Sequence, residues 1–350
     1  MVLTEYLAKA VQLGSSDVFI VPGAPVTAKV GGRLIPLDDI RLKPQTTQEL
    51  IESCYEVAHR DSRLLNAQGD DDFSFALKDL SRFRCNIYRQ RGTLAATCRI
   101  VAFGLPDPNA FGIPKEVIEL SALRSGMVLV TGPAGSGKST TLACIIDAIN
   151  TRRDGHIITI EDPIEFLHPH KKSLVSQREV PSDAPNFAHA LRGALRQAPN
   201  VIMLGEMRDS ETMQVAITAA ETGHLLLSSL HTIGAAKSID RIIDTFPASQ
   251  QQQIRVQLSM VLRAVVSQRL IPGTNGRQIP LFEVMTVTPA VQNLIRDGRT
   301  HQIENAVHGS GNDRLSIDSE LFRLYRAKQI DRDTAIAFAS NPEMLEKRLI

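Results

Sequence analysis

Apolar and polar positions follow two different patterns along the chain, and the change falls near residue 115. Leu3, Tyr6, Leu7, Ala10 and Val11 recur at helical spacing and predict an opening amphipathic helix. Asp17-Val-Phe-Ile-Val21 then reads as a strand closed by Pro22-Gly23, and Val26 to Val30 and Arg33 to Leu37 flank Gly31-Gly32 as a hairpin. Thr47 to Val57 predicts a helix with Thr46 or Thr47 as its cap. Phe73 to Leu77, Phe83 to Tyr88 and Thr93 to Val101 carry the alternation or the β-branched content of strands. Together these elements predict an α+β domain over residues 1–101. Residues 102–114, dense in proline and glycine, form the expected linker.

From Lys115 to Ile350 the second domain begins with short, fully apolar runs alternating with helical patterns. The runs are Met127–Val130, Ile157–Ile160, Val201–Leu204 and Leu225–Leu230. Between them lie Thr140–Asn150, Asn186–Gln197 and Ser210–Thr222, which have helical periodicity. Such alternation predicts an α/β fold with a mainly parallel sheet, helices on its faces and ligands at the strand C-terminal ends. Beyond Gln250 the pattern reads as chiefly helical: Gln250–Leu270, Pro289–Arg296, Ser316–Ala327 and Asp331–Ala339, interrupted by a strand over Ile279–Val287. In Pro289–Arg296, Val291, Leu294 and Ile295 share one side of an amphipathic helix.

Composition adds exclusions. The 350 residues carry 39 Lys plus Arg against 38 Asp plus Glu, so no bulk basic excess points to nucleic acid or acidic lipid. No apolar run approaches the length of a membrane span, and the N-terminus lacks the basic start and apolar core of a signal peptide. Membrane association is therefore expected only through partner proteins. Cys54, Cys85, Cys98 and Cys144 have no C-x-x-C or zinc spacing and are expected to be buried, reduced thiols.

The chemistry concentrates after the first apolar run. Gly132-Pro133-Ala134-Gly135-Ser136-Gly137-Lys138-Ser139-Thr140 fits G-x-x-x-x-G-K-[ST] and lies between a predicted strand and a predicted helix. Its glycines let backbone N–H groups point at phosphate oxygens, and the helix N-terminus favours negative charge. Lys138 is expected to reach the β- and γ-phosphates of ATP, with Ser139 on magnesium. Two further runs end in acids: Ile157–Ile160 in Glu161-Asp162-Pro163-Ile164-Glu165, and Val201–Leu204 in Gly205-Glu206. Carboxylates at strand ends beside a phosphate loop suit metal or water positioning better than solvated surface charge. His224 and His231 bracket Leu225–Leu230; each is a core histidine or a phosphate reporter on this pattern. Arg84, Arg89, Arg91 and Arg99 cluster in the first domain, either on a wet strand face or as fingers reaching a neighbouring subunit's nucleotide.

The segments Thr159–Phe166, Gly205-Glu-Met-Arg-Asp209, Ala219-Ala-Glu-Thr-Gly-His-Leu225, Leu230-His-Thr232 and Ala235–Arg241 resemble those of the type IV pilus retraction ATPases, the PilT family of secretion-type ring ATPases. The resemblance runs nearly end to end. It implies a PAS-like first domain, a RecA-like second domain and a homohexameric ring that uses ATP and magnesium. It also implies an acidic box at Glu161, Asp162 and Glu165 with Glu165 as general base, Glu206 as the metal-serving acid, and a histidine box at His224 and His231. Arg84, Arg91 and Arg99 match a region whose arginines enter the neighbour's site. The implied activity is retraction of a pilus by nucleotide-dependent domain rotation at the cytoplasmic face of the inner membrane. The implied partners are a platform protein and a paralogous motor. An accessory PilU-like motor, a related secretion ATPase and a nucleic-acid-translocating ring are the alternatives. The chain departs from the family pattern at Ala134 in the loop and at Ala198 and Asn200, where acids commonly precede the strand. Gln292 replaces an arginine of the family's Ala-Ile-Arg-Asn-Leu-Ile-Arg helix.

Overall fold

A computed structural model describes residues 1–101, 104–303 and 316–349; Ala102 and Phe103 of the expected linker lie outside the described residues. The chain divides into two compact units, Met1–Gly104 with Pro163–Leu167, and Leu105–Asp162 with His168–Ile350.

In the first unit β1 (Asp17–Ile20), β2 (Thr27–Val30), β3 (Arg33–Pro36), β4 (Asp70–Leu77), β5 (Ser81–Gln90) and β6 (Thr93–Val101) make one antiparallel sheet in the order β3-β2-β1-β6-β5-β4. Gly31 and Gly32, both at positive φ, turn β2 into β3 as the sequence predicts. The buried residues of α1 (Leu3–Gln12) and α2 (Pro44–Val57) join the inner sheet face in one core, with α3 (Arg63–Gln68) leading into β4. Alternation on β5 buries Phe83, Cys85 and Ile87 and turns Arg82, Arg84 and Asn86 outward, so one face is core and the other is wet. The expected threonine cap of α2 is not used. The helix starts at Pro44, whose fixed φ and missing N–H suit a first turn, while Thr47 Oγ1 donates back to Lys43 O at 3.1 Å.

All four cysteines are buried, as expected, but not all are reduced. Cys85 and Cys98 are paired across β5 and β6 with Cα atoms 4.2 Å apart, and a disulfide joins them. Burial pushes the Cys54 and Cys144 thiols up to about 12, which keeps both protonated. Phe83 is fully buried and stacks on Phe75 at 5.5 Å. Phe83→Ala should therefore destabilise the first unit by about 3–5 kcal/mol in a denaturant titration; a change below ~1 kcal/mol would contradict this account of its core.

The second unit has the expected α/β architecture. β7 (Gly126–Thr131), β8 (Gly155–Glu161), β9 (Ser173–Glu179), β10 (Val201–Leu204), β11 (Leu225–Leu230), β12 (Leu262–Pro272) and β13 (Gln278–Thr286) form a sheet in the order β13-β12-β7-β11-β10-β8-β9. Every pairing is parallel except that of β13 with β12. Successive residues of β7 go to opposite cores. Met127 and Leu129 join the core of α6 (Phe187–Ala194), α7 (Ser210–Glu221), α8 (Ala235–Asp244), α9 (Ala248–Val261) and α10 (Pro289–Arg296). Val128 and Val130 join that of α4 (Lys115–Glu119) and α5 (Lys138–Arg152). Burial on both faces explains why these strands are uniformly apolar. The last helices, α11 (Ile317–Arg326), α12 (Arg332–Phe338) and α13 (Pro342–Arg348), pack with Ile271 of β12 and Leu281 of β13.

The expected helix Gln250–Leu270 is corrected: α9 stops at Val261 and the chain continues as β12 beside β7. A short, mostly buried run such as Leu262–Gln268 has no period that separates helix from strand; its place between β7 and β13 settles the matter. β9 is a strand the hydrophobic pattern did not show, because only Leu174 and Val175 of its residues are apolar at this sheet edge.

Candidate nucleotide site

β7 ends at Thr131, and residues 132–137 turn the chain into α5. Gly137 stands before the helix at φ 90°, a left-handed backbone that glycine adopts freely. Gly132 is held tighter still: a Cβ there would lie 2.1 Å from the backbone oxygen of Gln268. Pro133, Ala134 and Gly135 are exposed at the tip, whereas Ser136 is buried with its Oγ lacking a hydrogen-bond partner. Lys138 Nζ donates to Gly132 O and Pro133 O, both at 3.0 Å. A cradle too close for any side chain, an orphaned hydroxyl and an ammonium curled onto loop carbonyls fit a phosphate group. Ser139 and Thr140 follow on the first turn of α5, half-buried.

The next two strand ends bring acids to the same end of the sheet. Glu206 lies just past β10, its side chain 13% exposed, with Arg208 at 2.7 Å from Oε1. His231, just past β11, stands between the loop and this acid: Nδ1 is 3.5 Å from Lys138 Nζ and Nε2 is 3.5 Å from Glu206 Oε2. Both distances are long for hydrogen bonds, so small shifts make or break either contact. Glu161 closes β8 with Oε1 accepting from Thr159 Oγ1 at 2.7 Å and Gln177 Nε2 at 3.3 Å, and Asp162 follows it. Gly205 packs against Glu161, for a Cβ there would lie 3.4 Å from the Glu161 Cα. Continued one step past Leu204 and Ile160, the strand register sets Glu161 beside Gly205, the residue before Glu206.

Of the expected site residues in this unit, His224 is not brought to this end. His224 precedes β11, and the six residues of that strand separate it from His231 by about 20 Å at ~3.3 Å per residue. Its Nδ1 donates to Ala219 O at 2.9 Å. Glu165 belongs with Pro163–Leu167 to the first unit. Within that unit Arg84 and Arg99 are direct cross-strand partners on the outer sheet face. Arg84 holds Asp72 through two bonds and Arg99 holds Asp17 at 3.1 Å. Arg91 sits exposed in the turn with Gly92.

Two features escaped sequence reasoning. Gln268, buried on β12, accepts from Thr141 Oγ1 of α5 at 2.7 Å while its backbone oxygen walls the Gly132 cradle. Reading this stretch as helix hid that role; as a strand, β12 sets Ser267 beside Thr131 and Gln268 at the start of the loop. Beyond Gly137 opens a cavity of about 780 Å³ whose lining includes Phe111, Ile113, Thr140, Gln268, Arg277 and Pro280. Its apolar and hydrogen-bonding walls have the size and character of a small-molecule site.

Residues 113–327 match the family model described as type II/IV secretion system protein. The type IV pilus retraction ATPase PilT of Pseudomonas aeruginosa is 40% identical over 98% of this chain and 99% of its own. The pilus ATPase PilU of the same species is 36% identical over 97% of this chain and 89% of its own. Among solved structures, the pilus retraction motor PilT with bound ADP superposes with a TM-score of 0.90 at 41% identity, covering 99% of both chains. The Legionella pneumophila ATPase DotB gives a TM-score of 0.82 at 29% identity, covering 96% of this chain and 95% of that one.

Proposed function

Because the chain belongs to the PilT family of type II/IV secretion system proteins, we propose that it is an ATP-hydrolysing motor that retracts a type IV pilus. The observation that carries this reading is His231 standing between Lys138 of the phosphate loop and Glu206 of the neighbouring strand end. Loop N–H groups and Lys138 bind the phosphates, and the cavity lined by Phe111 and Arg277 takes base and ribose. Ser139 and Glu206 would hold magnesium, Glu206 through water; the ion, when bound, neutralises phosphate charge. His231 reports whether the γ-phosphate is present by exchanging its contacts with Lys138 and Glu206. Glu165 acts as general base for water, and Glu161 with Asp162 completes the acidic box, as the family resemblance implies.

The motor would work as a homohexamer, with nucleotide-dependent domain rotation moving the pilus base. Arg84, Arg91 or Arg99 would reach a neighbouring subunit's phosphates, and the first and last would have to leave Asp72 and Asp17 to do so. Among the described residues no helix is long and apolar enough to cross a membrane. The motor would sit at the cytoplasmic face of the inner membrane through a platform protein, and a paralogous motor would share that position. Gln292 on α10 favours a second reading, an accessory motor of the PilU kind.

The test is a chromosomal Lys138→Ala substitution, scored by surface pilus number and twitching. Excess pili with lost movement is the expected outcome. Bald cells would overturn retraction in favour of extension, and unchanged pili with normal twitching would remove the pilus from the function while leaving the ATPase.

A further inference from the structure

His224, Asn200 and Arg153 meet in a small cavity at the end of the parallel strands remote from the phosphate loop. It holds about 210 Å³ and is also lined by Arg124, Asp154 and Thr222. The walls come from connections tied by backbone bonds: Gly126 N donates to His224 O at 3.0 Å, and Leu225 N donates to Asn200 O at 3.2 Å. Arg153 donates through Nη1 to Leu123 O at 2.9 Å, but its Nε and Nη2 are buried without a hydrogen-bond partner. Burial first, and the like charge of Arg124 second, lower the Arg153 pKa. Asp154 lines the cavity but forms no ion pair within 4.0 Å with either arginine among the described residues. His224 adds a further polar atom: with Nδ1 donating to Ala219 O, its Nε2 can donate to an anion only in the doubly protonated ring. Asn200 offers only an amide, since its Oδ1 accepts from His156 N at 2.8 Å.

The departure noted at Asn200 acquires a physical meaning here. An acid at that position would place a carboxylate among Arg124, Arg153 and His224 and neutralise the cavity; asparagine leaves it positive. We infer that this cavity binds a free oxyanion of the phosphate class, held by Arg124 and Arg153 beside His224. Size supports that class. At ~30 Å³ per water the space equals roughly seven waters, enough for a tetrahedral oxyanion with its hydration but below the ~300 Å³ at which nucleotide- or drug-sized pockets begin. The C-terminus of α5 lies beside it and opposes an anion with a partial charge of about half a unit. Two full guanidinium charges outweigh that. Unmatched buried donors on a charged group are costly, and Arg153 turning them into the cavity, with a small rotation of the exposed Arg124, would bring both guanidinium groups onto one oxyanion.

The phosphate loop also binds phosphate, so the test removes it first. Full-length Lys138→Ala protein is dialysed against radiolabelled inorganic phosphate, beside the same protein carrying Asn200→Asp or Arg153→Gln. The expected result is about one phosphate per Lys138→Ala chain, with affinity at least about tenfold weaker in each double variant. Asn200→Asp keeps the oxygen that His156 N requires, so it preserves the test if Arg153→Gln fails to fold. Phosphate retained by wild type but not by Lys138→Ala would assign all binding to the loop and overturn the site. Retention unchanged by Asn200→Asp would overturn it equally. Neither result bears on ATP turnover, which wild-type protein reports separately.

Discussion

Purified Glu206→Ala protein should bind ATP near wild-type affinity yet release phosphate at least about a hundredfold more slowly. Lys138→Ala should lose both binding and turnover. The difference follows from where the two groups stand. Lys138 lies in the loop cradle on the carbonyls of Gly132 and Pro133, so it meets the phosphates on binding. Glu206 stands behind it at the end of β10, linked to the loop across His231. A group so placed acts when charge and water must be arranged for cleavage, which is a rate effect rather than a binding effect. Nucleotide titration and phosphate release on the two variants separate these outcomes. Undiminished turnover in Glu206→Ala would remove it from the chemistry, and wild-type protein that binds ATP without hydrolysing it would recast the chain as a nucleotide-gated binding ring.

Gly132→Ala should be almost as damaging, although it changes one hydrogen to a methyl group. The new Cβ would meet the Gln268 backbone oxygen at 2.1 Å and the Ser136 hydroxyl at 2.7 Å. A side-chain neighbour can swing away; a carbonyl in the middle of β12, where Gln268 pairs with Phe282 of β13, cannot. The loop must move instead, and nucleotide affinity should fall by more than about tenfold, since phosphate binding depends on where its N–H groups point. Gly135→Ala is the control. Its Cβ would meet nothing within 4 Å, so only the strain of its positive φ, about 1 kcal/mol, is at stake. Equal affinities for the two variants would show that the close approach at Gly132 does not set the loop.

Much of this architecture was legible because local and global signals agree. Apolar runs four to six residues long became β7, β8, β10 and β11, and the loop motif fell at the strand end where the fold needs it. The first unit was legible for a different reason: strict alternation on β5 sorts Phe83 from Arg84 without any knowledge of partners. What failed depends on tertiary context. Residues 262–270 are as compatible with a buried helix as with β12, and only the vacant place beside β7 decides between them. The two histidines illustrate the same limit. Six residues of helix would have stacked them within about 9 Å, whereas six residues of strand carry them to opposite ends of the sheet. Gln268 and the cavity beside it were invisible, because nothing in a lone glutamine announces a neighbour 136 residues earlier in the chain; that neighbour is Gly132.

The membership of Pro163–Leu167 in the first unit bears on how the protein can be dissected. The polypeptide passes between the units after Gly104, after Asp162 and again after Leu167. An expressed fragment ending at Gly104 would therefore lack five residues of its own fold, and the complementary fragment would carry those five with nothing to fold onto. Glu161 and Glu165, four positions apart in sequence, would be separated by no single cut that respects both units. Domain swaps with relatives must exchange this pentapeptide together with the first hundred residues, or the chimaera will join an acidic stretch from one parent to a sheet from the other.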